Sequence, residues 1–151
     1  MTDTLASEDI ALVIERHFKA PVEKVFDAFI NPSAFTAWFG PEGVSIAHCA
    51  LDVRAGGAWE CEMSTPDGSK PFVSGVYKEI VPNDRLVFTW AWRQEDGSRG
   101  QETLVKLTFS AQDGGTAFRL EQTGFAEEEF RDRHNEGWSS SFICLDNFLA
   151  A

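Results

Sequence analysis

The chain has 151 residues, with 13 basic and 24 acidic side chains and a formal net charge of −11. Proteins that bind nucleic acid or anionic membrane surfaces rely on Lys and Arg, so this charge disfavours both partners. No apolar run is long enough to span a bilayer, and the first residues lack a basic region followed by an apolar one, so we expect a cytoplasmic protein. The length predicts a single domain over residues 1–151, with an ordered core over about 10–150.

Residues that commonly bind metals are few and scattered, whereas aromatic residues are abundant. Cys49, Cys61 and Cys144 are odd in number and form no Cys-x-x-Cys motif, which argues against a disulfide framework and a thiolate zinc site. The histidines show no metal-ligand spacing, so we expect no metal and no cofactor. The 13 Phe and 5 Trp indicate either a large core or a core that also forms the wall of a pocket.

The first forty residues predict one strand and two short helices. Ile10–Phe18 carries β-branched and aromatic residues in loose alternation, which is typical of a strand. Pro21 fits the first position of a helix. Apolar residues follow it at helical spacing, namely Val22, Val25, Phe26 and Phe29. Asn31-Pro32 is typical of a cap and first residue of a second helix, which contains Phe35 and Trp38 and ends at Gly40-Pro41.

Beyond residue 43 the chain is divided by five turn signals, each containing glycine or a Pro-Asn-Asp sequence. The segments between them predict six strands, at about 44–53, 57–64, 71–81, 85–93, 101–110 and 116–123. Because short turns connect them, we expect an antiparallel meander. The first strand then pairs at an edge, most simply beside the last.

Alternation along these strands predicts a sheet with one bulky apolar face and one mostly polar face. The apolar face combines Trp59, Cys61 and Met63 with Leu86, Phe88, Trp90 and Trp92, then Val105, Leu107 and Phe109, and finally Phe118, Leu120 and Gln122. The strand 71–81 is ambiguous. Its inward set is either Phe72, Val76 and Ile80, or Val73 and Tyr77.

Residues 126–151 predict a long C-terminal helix that covers the apolar face of the sheet. One side of the helix carries Phe130, His134, Trp138, Phe142, Leu145 and Leu149. Gly137 costs a helix about 1 kcal/mol relative to alanine, so we expect a sheet residue or a ligand to approach it closely, packing being the commoner reason. A twisted sheet under such a helix predicts an apolar cavity.

Several segments occur in an order and spacing that resemble a known family. They are Trp38–Pro41, Asp52–Trp59, Gly75–Pro82, Arg85–Trp90, Gly115-Thr116 and His134–Trp138. Over residues 10–150 the chain closely resembles the bacterial family named for homology to the activator of the 90-kDa heat-shock protein's ATPase, in the START-like or SRPBCC superfamily. This resemblance implies an α+β helix-grip fold, as in the birch-pollen allergens: an antiparallel sheet of about seven strands curved around the long C-terminal helix, with two short helices after the first strand.

The resemblance also implies a ligand cavity, because superfamily relatives bind lipids, hormones, polyketides and other hydrophobic molecules, and some are cyclases or dehydratases. The candidate ligand-binding residues are Trp38, Trp59, Cys61, Tyr77, Phe88, Trp90, Phe118, Gln122, His134, Trp138 and Phe142. Gln122 would hydrogen-bond a ligand or His134. Apolar surroundings would raise the pKa of Cys61 and leave it unreactive. Asp52 and Arg54 are expected to pair with each other.

His134 is the candidate catalytic residue, because an imidazole on the inward face can act as general acid or base near neutral pH. The alternative, which we favour, is a core histidine hydrogen-bonded to the sheet. Three functional hypotheses follow. The leading one is a protein that binds a small hydrophobic molecule. The others are a cyclase- or isomerase-type enzyme that uses His134, and a stress-response protein that modulates a chaperone. A homodimer is possible in each case.

Overall fold

The computed structural model describes residues 10–40 and 43–150. Its elements are β1 (Ala11–Phe18), α1 (Val22–Ile30), α2 (Pro32–Trp38), β2 (Ser45–Leu51), β3 (Ala58–Ser64), β4 (Phe72–Val81), β5 (Arg85–Trp92), β6 (Thr103–Gln112), β7 (Gly115–Thr123) and α3 (Glu128–Ala150). This order confirms the predicted α+β helix-grip fold, and each predicted strand agrees to within two residues at either end. No helix of the described part is long and apolar enough to cross a membrane.

The seven strands form one antiparallel sheet in the order β1-β7-β6-β5-β4-β3-β2. β1 pairs with β7 along its whole length, from Ala11 opposite Thr123 to Phe18 opposite Thr116. The expected pairing of the first strand with the last is therefore confirmed. Consecutive hairpins connect β2 to β7, so β1 and β2 are the two edge strands of the sheet.

The two short helices begin in different ways, and only α2 has a side-chain cap. Asn31 caps α2, since its side-chain Oδ1 accepts a hydrogen bond from the Ser33 N–H at 3.0 Å, and Pro32 is the first helical residue as predicted. Pro21 is the N-cap of α1. The prediction that Pro21 is the first helical residue is therefore wrong by one position. Pro41, predicted to help end α2, lies outside the described residues.

The C-terminal helix α3 packs on the apolar face of the sheet through aromatic rings. Trp138 lies 5.0 Å from Trp90 of β5, and Phe142 lies 5.2 Å from Phe118 of β7, both measured between ring centroids. Leu145 and Leu149 continue this buried face toward the end of the helix. Such ring pairs contribute about 0.5–1.5 kcal/mol each beyond the burial of their area, so this row anchors the helix.

The structure resolves the ambiguous strand β4. Val73, Gly75 and Tyr77 point to the buried face, and a register shift follows between Tyr77 and Glu79. The second of the two sets considered is therefore the inward one, and the bulge explains why the alternation beyond Tyr77 was hard to interpret. The neighbouring β5 departs from the expected pattern, because both of its faces are buried, Ala91 included.

Candidate functional site

An open cleft of about 360 Å³ lies between the N-terminal half of α3 and the apolar face of the sheet. We call it the helix cleft. Its walls are mostly apolar and aromatic, and they comprise Phe39, Gly40, Val44, Met63, Thr65, Pro71, Trp90, Trp92, Phe130, Arg133, His134, Gly137, Trp138 and Ser141. The volume is at the lower end of the range of about 300–1,000 Å³ typical of small-molecule sites.

Gly137 leaves part of the helix surface bare inside the helix cleft. A Cβ atom built at this position has no neighbouring atom within 4 Å. The expected packing of a sheet residue against Gly137 is therefore wrong. The residue lies beside open space. The two side chains next to it on the same wall, His134 and Trp138, are the ones that the sequence placed where a ligand would meet the helix.

Both ring nitrogens of His134 have partners within the protein. Nδ1 lies 2.7 Å from the carbonyl oxygen of Phe130, to which it donates. Nε2 accepts the indole N–H groups of Trp90 at 3.3 Å and Trp92 at 3.0 Å. Two donors directed at Nε2 require its lone pair, so the imidazole is neutral with its proton on Nδ1.

Burial lowers the pKa of His134 from its ordinary value, and the hydrogen bond to the Phe130 carbonyl opposes this only in part. The imidazole therefore stays uncharged near neutral pH. Because its basic nitrogen is already engaged by two indole groups, the arrangement matches the core-histidine alternative. An acid–base role would require Trp90 and Trp92 to release Nε2.

A buried polar chain connects α3 to the sheet behind the helix cleft. The Trp138 indole N–H donates to Gln122 Oε1 at 2.9 Å, and Gln122 Nε2 donates to the Thr103 hydroxyl at 2.8 Å. The Thr103 hydroxyl in turn donates to the Trp90 carbonyl at 3.3 Å. Gln122 was expected to bond a ligand or His134. Instead it holds Trp138 in place, and both ends of its amide are used.

A second space, the inner void, lies deeper between α2 and strands β3–β5, and it measures only about 20 Å³. Five of the predicted ligand-binding residues surround it, namely Trp59, Tyr77, Phe88, Trp90 and Trp138. Burial raises the pKa of the Tyr77 hydroxyl. This space has room for about one water molecule.

The side chain of Trp59 fills the space above β4 and contacts the strand beyond it. Its indole N–H donates to the Thr89 carbonyl of β5 at 3.1 Å. Gly75 of β4 lies directly opposite Trp59 and makes this crossing possible. A Cβ at Gly75 would be 1.8 Å from the Thr89 oxygen and 2.6 Å from the Trp59 indole nitrogen. The glycine is therefore required by close approach.

The remaining predicted residues are packed in the core, away from the helix cleft. Trp38 donates its indole N–H to the Ala28 carbonyl at 2.8 Å and so fastens α2 to α1. Phe118 and Phe142 contact each other. Cys61 is fully buried on β3. Of the eleven candidates, only Trp90, His134 and Trp138 line the helix cleft.

Two smaller expectations concern Cys61 and the Asp52–Arg54 pair. The pKa of Cys61 is raised, as expected, but the main cause is its hydrogen bond to Cys49, with burial second. Arg54 Nε lies 3.0 Å from both carboxylate oxygens of Asp52, which confirms that these two residues pair with each other.

Several residues that line the helix cleft were absent from the predicted set. Trp92 and Met63 share the inward face with predicted residues, and Phe130 lies on the same side of the helix as His134, so alternation and helical spacing were sufficient to find them. Neither alternation nor helical spacing indicated that Arg133 lines the helix cleft. Phe130 is 40% exposed at the mouth of the helix cleft rather than buried in the core.

Comparisons with known proteins agree with this architecture. Residues 19–150 match the family described as Activator of Hsp90 ATPase homolog 1-like protein. The curated "Activator of 90 kDa heat shock protein ATPase homolog" of Dictyostelium discoideum is 28% identical over 134 residues. That match covers 87% of this chain but only 30% of the Dictyostelium protein, so the chain spans less than a third of that relative.

Solved structures resemble the chain over almost its full length. The AHSA1 protein from Silicibacter pomeroyi is 31% identical, with a TM-score of 0.86 over 93% of this chain and 97% of that one. A protein from Chromobacterium violaceum is 26% identical, with a TM-score of 0.85 over 94% and 98% of the two chains. A Rhizobium leguminosarum protein is 30% identical, with a TM-score of 0.77 over 93% of each chain.

Proposed function

The chain belongs to the family of Activator of Hsp90 ATPase homolog 1-like proteins, and on that premise we propose that it binds a small hydrophobic molecule in the helix cleft. The ligand would be an aromatic or acyl compound, placed against Trp90, Trp92 and Trp138. The observation that carries this proposal is the helix cleft itself, which is open, lined mostly by apolar side chains and about 360 Å³ in volume.

Apolar surface left open to water is costly, which supports a binding role for the helix cleft. Burial of apolar area contributes about 25 cal/mol per Å², so a soluble protein gains stability by closing such a space. Gly137 has no side chain to close the helix cleft, although nothing would obstruct one at this position. A helical glycine costs about 1 kcal/mol relative to alanine. An open wall kept at that cost fits a surface that a ligand covers.

The helix cleft supports the proposal better than the inner void does. The inner void, at about 20 Å³, is far smaller than any aromatic compound, and rings that contact one another surround it. A ligand there would have to displace Trp59 or Phe88 from close packing, which typically costs several kcal/mol. The ligand therefore lies at the helix, and the deep aromatic residues support the wall behind it.

A second candidate function is binding to a 90-kDa heat-shock protein, suggested by the name of the Dictyostelium relative. The chain spans only 30% of that protein, so the name is a weak guide to activity. The two candidates differ in what they require. Ligand binding depends on the interior of the helix cleft, whereas docking to a large protein depends on the outer surface.

The test is binding of an apolar fluorescent probe, anilinonaphthalene sulfonate, to the wild-type chain and to Gly137→Leu. The leucine fits the open space and fills it, so we expect probe affinity to fall by roughly tenfold or more, which corresponds to about 1.4 kcal/mol. Asn147→Leu adds the same side chain on an exposed position of α3 and serves as the control. Equal affinity for the probe in wild type and Gly137→Leu would exclude the helix cleft as the site.

Native mass spectrometry of the protein purified gently from its own host then identifies the natural ligand. We expect a bound small molecule in wild type and in Asn147→Leu, and its loss from Gly137→Leu. Retention of the 90-kDa chaperone by all three proteins, with no small molecule in any, would favour the second candidate.

A further inference from the structure

Cys49 of β2 and Cys61 of β3 lie directly opposite each other on neighbouring antiparallel strands. Residues opposite each other in such a ladder have Cα atoms about 4.5–5.5 Å apart and side chains on the same face. Disulfides span Cα distances of about 4.4–6.8 Å, so the ladder alone places the two residues at a suitable separation. The pairs on one side, Ala50–Glu60 and Leu51–Trp59, keep this register fixed.

The two side chains interact across the ladder, and their environments differ. Hydrogen bonding between the two thiols lowers the pKa of Cys49 and raises that of Cys61. Burial partly opposes the first effect, while the nearby charge of His48 adds to it. Cys61 is fully buried, whereas Cys49 is half-buried on the edge strand. Cys49 is therefore the thiol that meets reagents from solution, and Cys61 is the one behind it.

We propose that Cys49 and Cys61 form an oxidative modification site, at which a peroxide joins them in an intramolecular disulfide that links β2 to β3. The proposal is independent of ligand binding in the helix cleft, because neither cysteine lines that space. It also differs from a structural disulfide framework, since both residues are free thiols in the folded protein.

The chemistry has two balanced steps. The Cys49 thiolate attacks one peroxide oxygen, the O–O bond breaks, and hydroxide takes up the thiol proton to leave as water. The product is the Cys49 sulfenic acid. The Cys61 sulfur then attacks the Cys49 sulfur, the S–O bond breaks, and the departing hydroxyl leaves as water with the Cys61 proton. Two thiols are oxidised, and one hydrogen peroxide is reduced to two waters.

The structure favours disulfide formation between Cys49 and Cys61 over any disulfide that includes Cys144. Cys144 lies on α3 and has no cysteine opposite it, so its sulfenic acid would have no resolving thiol among the described residues. The disulfide would close the hairpin between β2 and β3 and fasten the edge strand β2, which has only one neighbouring strand. We expect slower amide hydrogen exchange in β2 and a higher thermal midpoint after oxidation, and both effects should reverse with a reducing agent.

The test is peroxide treatment of the folded protein, followed by alkylation of free thiols and tryptic mapping without reduction. Trypsin cuts after Arg54, so the two cysteines fall in the separate peptides 25–54 and 55–78. We expect these peptides to appear joined, with the protein lighter by two hydrogen atoms, while Cys144 in peptide 134–151 is alkylated. Separate peptides 25–54 and 55–78 at every peroxide concentration that oxidises Cys49 would overturn the proposal.

Variants test whether Cys49 is the thiol that reacts with peroxide and Cys61 the thiol that resolves its sulfenic acid. Cys49→Ser changes a half-buried residue and should abolish the joined peptides, whereas Cys144→Ser should leave their yield unchanged. Cys61→Ala keeps a small apolar side chain in the core and should leave Cys49 as a sulfenic acid that a sulfenic-acid reagent labels. Joined peptides that persist in Cys49→Ser, or that disappear in Cys144→Ser, would contradict the pairing. The tryptic peptide map of the wild-type protein tests the pairing even if Cys61→Ala fails to fold.

Discussion

Trp92 of β5 donates its indole N–H to Nε2 of His134 on α3 across 3.0 Å, and Trp90 donates to the same nitrogen at 3.3 Å. A single imidazole lone pair thus connects the C-terminal helix to two tryptophans on one strand. The connection exists only while His134 is neutral, because protonation at Nε2 would place a third N–H against the two indole donors. The beginning of α3 is therefore held to the sheet by a group that titrates.

The first prediction is that this contact makes stability depend on pH. Burial lowers the pKa of folded His134 below its ordinary value of 6.5, so the unfolded chain binds the proton at higher pH than the folded chain does. Below pH 6.5 unfolding takes up a proton, and the free energy of unfolding falls as pH falls toward the folded pKa, by up to about 1.4 kcal/mol per pH unit. Above pH 6.5 this contribution is constant and fully present.

The measurement is urea unfolding from pH 5 to pH 8, followed by tryptophan fluorescence. His134→Gln serves as the comparison, because glutamine retains an acceptor for an indole N–H but does not titrate in this range. Carboxylates titrate in both proteins, so the difference between the two pH profiles isolates His134. Identical slopes in wild type and His134→Gln between pH 5 and pH 6.5 would show that His134 is not buried and neutral.

The second prediction concerns the buried amide of Gln122. Replacing it with leucine in Gln122→Leu removes the acceptor of the Trp138 indole N–H and leaves that donor buried without a partner. An unsatisfied buried donor costs about 1–3 kcal/mol, and we expect the free energy of unfolding to fall by that amount. The urea dependence of unfolding should keep its slope if only stability changes.

A double-mutant cycle with Trp138→Phe separates this cause from general loss of packing. Phenylalanine removes the indole N–H, so in its presence Gln122→Leu no longer creates an unsatisfied donor. We expect the double variant to lose less stability than the sum of the two single variants, with a coupling energy of about 0.5–3 kcal/mol. Additive losses would mean that the hydrogen bond between Trp138 and Gln122 contributes little.

The third prediction contrasts two glycines. Gly137→Ala should raise the free energy of unfolding by about 0.4–1 kcal/mol, since the site is helical, has no positive φ and offers free space for a Cβ. Gly75→Ala should lower it by about 1–3 kcal/mol, because its Cβ would collide with the Thr89 carbonyl and the Trp59 indole. Thermal or urea unfolding of the two variants side by side gives opposite signs, and equal signs would refute this account of the two sites.

The contrast between these glycines shows how far the sequence could predict the structure. Turn signals were enough to predict the strand order, and the Asn-Pro sequence was enough to predict the cap at Asn31. Alternation and helical spacing report which face of an element is apolar, and they predicted the buried row from Trp138 to Leu149. The same signals do not report what lies opposite a given residue. Gly137 was predicted to pack against a neighbour but faces open space, whereas Gly75, which lies inside a predicted strand, is the glycine required by close contact.

The candidate site was harder to predict for the same reason. An inward side chain either fills the core or lines a cavity, and periodicity is identical in the two cases. Trp59 packs against Phe88, and Phe118 packs against Phe29, so these rings fill most of the deep cavity implied by the family resemblance and leave only the inner void. The helix cleft lies beside the N-terminal half of α3. Its position depends on three-dimensional packing, which leaves no pattern in the sequence.

The pairing of Cys49 with Cys61 was not predicted, because it depends on strand register. The two cysteines lie on the two strands of one hairpin, and their register depends on how many residues the turn between Leu51 and Ala58 uses. A shift of one residue moves a side chain to the opposite face, so this pairing cannot be obtained from spacing alone.

The fourth prediction depends on the proposed ligand site and concerns the charge of the ligand. Arg133 is the only arginine, lysine or acidic residue among the described residues that line the helix cleft. Its pairing with Glu129 is loose, at 3.6 Å between two exposed side chains, and such pairs contribute about 0–1 kcal/mol. Its guanidinium group is therefore available to an anionic group at the mouth. We expect anilinonaphthalene sulfonate to bind more tightly than an uncharged analogue of the same shape.

Arg133→Gln should remove this preference by weakening sulfonate binding up to about fivefold, the equivalent of an exposed ion pair of up to about 1 kcal/mol. Affinity for the uncharged analogue should not change, and the difference should shrink at high salt because exposed charges are screened. Arg131→Gln is the matched control, since Arg131 bonds Asp132 and the Ala11 carbonyl and does not line the helix cleft. If Arg131→Gln and Arg133→Gln weaken sulfonate binding equally, the net charge of the protein governs affinity and Arg133 has no specific part in it.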